Sequence, residues 1–141
     1  MTGKRKSIKI FGCVNIIDAK FIYRRDTVFN AETYLDFLEQ VARKYYQKKK
    51  IFYIQDNASY HKDGIVWEWF SHNKKYIEVY NLPPYSPEFN AAEPLWKHTR
   101  KIGTHNRYFE DENAIMDTLT KVFKSMQKNP KHIEGYIKPF R

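Results

Sequence analysis

The stretch Ile51-Phe52-Tyr53-Ile54-Gln55-Asp56-Asn57 decides how the chain is read. Its four consecutive apolar residues suit a short strand buried on both faces. Asp56 then stands at the C-terminal end of that strand. Ligands of open α/β sheets gather at that edge. Working upstream, Lys48-Lys49-Lys50 forms a basic loop. Before it, Tyr34, Leu38, Val41 and Tyr45 recur at helical spacing, which predicts a helix over residues 31–46 with Asn30 as its N-cap. Residues 7–17 and 20–24 are rich in β-branched and aromatic side chains. With Asp18-Ala19 as the turn, they predict a β-hairpin.

Downstream of Asp56 a helix is predicted over residues 64–72 and a strand over 76–80. Pro83, Pro84 and Pro87 stiffen residues 81–88 into an irregular loop. A third helix is expected near residues 90–102. A fourth spans 111–126, with Ile115, Leu119, Val122 and Met126 on one face. Alternation of this kind predicts an α/β sandwich with a mixed sheet.

A chain of 141 residues is the size of one domain, and 1–141 is read as a single one. It is 42% hydrophobic and 17% aromatic, which excludes a disordered tail. One cysteine, Cys13, excludes an internal disulfide and any site needing several thiolates. No apolar run approaches the roughly 20 residues of a membrane span. Lys4-Arg5-Lys6 opens the chain in the manner of a secretion signal, but Lys9, Asn15 and Asp18 interrupt any apolar segment after it. The expectation is a soluble protein of a reducing compartment. Lys and Arg number 25 against 16 Asp and Glu, a net charge of +9. A surface that basic attracts polyanions, with nucleic acid foremost, although a merely soluble lysine-rich protein has the same balance.

Two carboxylates stand out by position. Asp56 ends a strand, and Glu93 falls in the first turn of the helix after the proline loop. Thirty-six residues separate them, enough for a helix, a strand and a loop that return the chain to the same edge. Converging carboxylates make an all-oxygen site suited to Mg²⁺ or Mn²⁺. The plainer alternatives are a turn-forming Asp and a Glu favoured by the helix dipole.

The local sequences go further. Asp56-Asn57-Ala58-Ser59-Tyr60-His61-Lys62 and Leu82-Pro83-Pro84-Tyr85-Ser86-Pro87-Glu88-Phe89-Asn90-Ala91-Ala92-Glu93-Pro94-Leu95-Trp96-Lys97 resemble two signature blocks of the DDE transposases. The resemblance is to the mariner-like superfamily, in its bacterial and archaeal insertion-sequence branch. Those blocks read Asp-Asn-x-x-x-His and Leu-Pro-Pro-Tyr-Ser-Pro-x-x-Asn-x-x-Glu-x-x-Trp. The resemblance implies a ribonuclease-H-like mixed sheet flanked by helices. It implies three acids that bind two divalent metals, for strand cleavage and strand transfer in DNA transposition. Carried over by motif, Asp56 is the second catalytic, metal-binding acid and Glu93 the third. The implied partners are DNA, both transposon ends and target, and a second copy in a homodimer; the implied location is cytoplasmic and nucleoid-associated.

Other residues make sense beside that role. Lys97 and Arg100 follow Glu93 at i+4 and i+7, so one helical face presents an acid and then two cations. With the adjacent Lys101 they are candidate DNA contacts. The alternative for Lys97 is an intrahelical pair with Glu93. His61 orients the site, touches DNA, or caps the following helix. Trp96 and Trp69 read as core.

The family's first acid has no matching residue here. In relatives it lies on the first strand, before a hairpin like that of residues 7–24. The chain thus reads as a domain truncated at its N-terminus, with the first central strand missing. Asp18 falls in the hairpin turn, at the wrong edge, and Asp26 lies roughly 10 Å from the central position at ordinary strand spacing. Three outcomes are open: the hairpin closes onto the 51–54 strand, an upstream polypeptide supplies the strand and its Asp, or the chain folds poorly. The rival functions are a non-catalytic DNA-binding remnant, an assembly module of a transposase, and another ribonuclease-H-like nuclease.

Overall fold

Asn15 and Asp18 build the first turn. The Asn15 carboxamide accepts from the Ile17 amide at 2.8 Å and Asp18 accepts from the Lys20 amide at 3.0 Å. Ala19, directly after Asp18, takes a left-handed φ of 60° and is buried. The turn joins β1 (Lys9–Val14) to β2 (Phe21–Asp26) as an antiparallel hairpin, with Lys9 opposite Asp26 and Val14 opposite Phe21. The computed structural model describes residues 8–45, 49–56, 58–105 and 107–141. Lys48 of the basic loop, Asn57 of the first signature block and the Lys4-Arg5-Lys6 start lie outside them.

The described chain falls into two compact units. The first combines the hairpin with Ala91–Arg141. Its helices are α3 (Ala92–Thr99), α4 (Glu112–Lys128) and the short α5 (Glu134–Ile137). Asp111 caps α4, accepting from the Ala114 amide at 2.8 Å. The apolar face predicted for α4 is the buried one. Leu119, Phe123 and Met126 join Phe21, Leu95, Ile133 and Ile137 in one core, with Ile115 packed against it. Beyond Thr99 the predicted third helix widens into a π-helical turn, Arg100–Thr104. There Gly103 approaches α4 so closely that a Cβ would lie 3.3 Å from Val122. The segment after residue 128 was not foreseen. Arg141 fastens it to the hairpin turn by donating to the carbonyls of Ile16 and Ile17 at 2.6 and 2.9 Å.

The second unit is the uninterrupted stretch Val28–Asn90. Asn30 and Thr33 cap α1 (Ala31–Tyr45) reciprocally, each side chain accepting from the other's amide at 2.9 and 3.1 Å. Asp63 caps α2 (Gly64–His72) through the Ile65 amide. Between the helices, β3 (Ile51–Gln55) pairs in parallel with β4 (Ile77–Asn81), Gln55 opposite Asn81.

The α/β class and its ribonuclease-H-like order of hairpin, helix, strand, helix, strand, helix, helix are borne out. Two expectations are corrected. In place of one mixed sheet, the strands among the described residues form two two-stranded sheets, one antiparallel and one parallel. Nor is β3 buried on both faces. Tyr53 packs against Tyr34 of α1 and Phe70 of α2, while Phe52 and Ile54 on the other face are 63% and 56% exposed. Helices cover only one side of this sheet within the unit, and alternation along the strand then exposes every second residue. Among the described residues no helix is long and apolar enough to cross a membrane.

Candidate active site

Asp56 directly follows β3, where the strand's hydrogen-bonded ladder ends. Its side chain is 53% exposed. The Oδ1 atom accepts from the Ala58 amide at 3.0 Å, which bends the chain out of the strand. His61, in the 3₁₀ turn Ser59–Lys62, comes back to the same carboxylate. Its Nδ1 lies 2.9 Å from Asp56 Oδ1 and 3.0 Å from the Asp56 carbonyl oxygen. Both atoms can only accept, so Nδ1 carries the proton. The hydrogen bond from His61 is the main cause holding the Asp56 carboxyl below the usual carboxylate range. Burial opposes it, and the Ala58 amide adds to it. No described residue bonds Oδ2.

His61 itself is 7% exposed. Its ring stacks on Tyr34, centroids 4.2 Å apart, and meets Tyr60 edge-on at 4.5 Å. Tyr34 donates to Gln55 Oε1 at 2.6 Å, and Gln55 Nε2 donates to Asn81 Oδ1 at 2.8 Å. This polar chain, buried at Tyr34 and Gln55, links α1 to the ends of both parallel strands. Burial and the Asp56 charge push the Tyr60 phenol up to about 12. The helix-capping alternative for His61 falls away, since Asp63 fills that place. The ring is held against Asp56, the placement that the orienting reading expects. Tyr34 and Gln55 were missed in the sequence. The only signal was a polar residue ending an apolar run.

The proline loop leaves from the same edge as Asp56: the Leu82 amide donates to the Gln55 carbonyl at 2.8 Å. At its tip Tyr85 takes a φ of 56° and is 101% exposed.

Glu93 stands in the other unit, in the first turn of α3. It is half-buried, and no described residue forms an ion pair or hydrogen bond with it. Lys97 sits one turn on and is exposed, yet the intrahelical Glu93–Lys97 pair does not form. Arg100 and Lys101 are exposed on the π-helical turn. From Pro94 to Phe109 the chain carries no acidic residue at all. What sets the angle of α3 is Trp96. Its indole lies over Gly12 of β1, and Phe21 and Phe123 meet it edge-on at 5.8 and 6.1 Å.

The acids considered as substitutes are occupied locally. Asp18 holds the hairpin turn. Asp26 accepts from the Thr27 amide at 2.9 Å and pairs with Arg24 at 3.4 Å. Among the described residues no three His, Cys, Asp or Glu side chains gather around a metal position. Asp56 and Glu93 nonetheless each offer oxygen that no other described residue engages, and carboxylate oxygen is the donor that Mg²⁺ and Mn²⁺ take.

The order of elements is that of a ribonuclease-H-like α/β domain, with Asp56 directly after β3 and Glu93 in the first turn of α3. The model of the DDE superfamily endonucleases matches residues 1–116, and the chain belongs to that family. It is also similar to the Transposable element Tcb2 transposase of Caenorhabditis briggsae, at 26% identity over 111 residues. That alignment covers 77% of this chain and 39% of the relative, so the chain spans about two-fifths of the curated relative's length. The family acts with divalent metal ions.

Proposed function

We propose that the chain forms the second-acid and third-acid portion of a transposase catalytic domain, of the insertion-sequence branch found in bacteria and archaea. Its substrate is DNA, at transposon ends and target, met in the cytoplasm on the nucleoid. The observation that carries the reading is Asp56, a carboxylate at the C-terminal end of a parallel strand with one oxygen secured and the other open. Asp56 and Glu93 serve as two of the three metal-holding acids, and an upstream transposase polypeptide supplies the first. Mg²⁺ or Mn²⁺, when bound, stabilises charge on the attacking and leaving oxygens of a phosphodiester. Lys97, Arg100 and Lys101 neutralise backbone phosphates beside Glu93, a role supported by their exposure and by the missing Glu93–Lys97 pair.

Two assays test this. Binding of duplex DNA, followed by fluorescence anisotropy across a salt series, should weaken steeply with salt. Lys97→Gln and Arg100→Gln should each lower the slope by about one. Nicking of supercoiled plasmid with Mg²⁺ or Mn²⁺ should appear once the upstream segment is supplied, and Asp56→Asn or Glu93→Gln should abolish it. Salt-dependent binding with no nicking in that mixture would reduce the chain to a DNA-binding remnant. Cleavage of RNA–DNA hybrids in its place would make it a different nuclease.

A further inference from the structure

We propose that His61 is a positioning residue that fixes the Asp56 carboxylate in one rotamer, so that Oδ2 is presented outward to a divalent cation. The cation part rests on the reading above; the positioning part stands on geometry alone.

Asp56 lies just past the end of the ladder, half-exposed, where a carboxylate ordinarily samples several rotamers. The Ala58 amide donates to Oδ1 at 3.0 Å here, and His61 Nδ1 faces the same oxygen at 2.9 Å. The same Nδ1 lies 3.0 Å from the Asp56 carbonyl, so one imidazole grips the residue at backbone and side chain together. The amide alone does not fix the carboxylate, because an Asx turn leaves the plane of the group free to swing. The imidazole cannot swing. It is buried, stacked on Tyr34 and closed off at its edge by Tyr60. Tyr34 is in turn held by Gln55, the last residue of β3. The rigidity of the strand is thereby passed through a tyrosine and a histidine to the carboxylate that follows it. With Oδ1 held by the amide and faced by the imidazole, a cation finds Oδ2 already aimed and does not have to order the side chain itself. Groups that orient a metal ligand in this way are ordinarily worth 10–100-fold in metal affinity.

The test uses the 141-residue chain in three forms: wild type, His61→Leu and His61→Asn. Asn places an amide donor near the position of Nδ1; Leu keeps bulk and has no donor. Without metal, NMR couplings should report a single Asp56 χ1 rotamer in wild type, averaging in His61→Leu, and a single rotamer again in His61→Asn. Circular dichroism and the dispersion of amide signals identify a variant that has lost its fold. Should His61→Leu unfold, the His61→Asn variant decides, by keeping or losing the single rotamer. A single rotamer in a folded His61→Leu overturns the proposal. Mn²⁺ is then titrated, and line broadening near Asp56 is followed. Affinity should fall 10–100-fold in His61→Leu and recover in His61→Asn. If Asp56→Asn leaves Mn²⁺ binding unchanged, Asp56 is no metal ligand and the functional reading fails, while the rotamer result still judges His61.

Discussion

Burial and the charge on Asp56 also set the behaviour of Tyr60. Its phenol, pushed up to about 12, owes part of the rise to Asp56 and more to burial. A group whose folded pKa is raised favours the fold below its unfolded value, near 10 for tyrosine. That contribution disappears as pH climbs toward 12. Followed by NMR of the tyrosine ring carbons, Tyr60 should remain protonated at pH 10.5, and Asp56→Asn should bring its titration down. For Asp56 the sign is opposite. Its depressed carboxyl favours the fold above the ordinary carboxylate range, and the benefit is lost as pH falls below about 4. The stability gap between wild type and Asp56→Asn, from urea titrations, should therefore shrink between pH 7 and pH 3. The motif Asp-Asn-x-x-x-His was legible in the chain. The grip of His61 on Asp56 was not, because it depends on Tyr34, twenty-seven residues earlier in sequence and on another element. No local pattern records such a contact.

Among the elements, α3 shows how a strand position without a side chain places the helix that bears Glu93. A Cβ added at Gly12 would lie 2.5 and 2.6 Å from two atoms of the Trp96 indole, closer than real contacts allow. The indole has little room to retreat, with Phe21 and Phe123 at its flanks. Gly12→Ala should therefore destabilise the protein by about 1–3 kcal/mol in chemical denaturation, the usual cost of overfilling a core. Adding Trp96→Leu should recover part of the loss. Helices were the most legible elements, because apolar periodicity marks α1 and α4 and the cap Asn30 agrees with it in the sequence. The strand β3 was read correctly in place and wrongly in burial. Four apolar residues in a row say nothing about how many layers will cover them, and here only Tyr53 of Phe52, Tyr53 and Ile54 is covered. The short α5 was illegible. Pro130, Gly135 and Pro139 break any helical pattern, and its hold comes from Ile133 and Ile137 entering a core built by distant residues.

At the scale of the whole molecule, the two units differ in how the chain assembles them. Ile137 is fully buried beside Phe21, Leu119 and Phe123, so Ile137→Ala should cost about 2–5 kcal/mol. Hydrogen exchange should report the loss as faster exchange across β1, β2 and α4. The unit Val28–Asn90 is made of one continuous stretch, whereas the hairpin belongs with residues made after that stretch. During synthesis this creates a waiting time. Phe21 and its neighbours leave the ribosome early, but the residues that bury them, from Leu95 to Ile137, follow later. At ordinary elongation rates that interval is roughly 5–20 s, long compared with the microseconds in which a hairpin forms. The nascent hairpin thus stands for seconds as a sticky, half-finished surface.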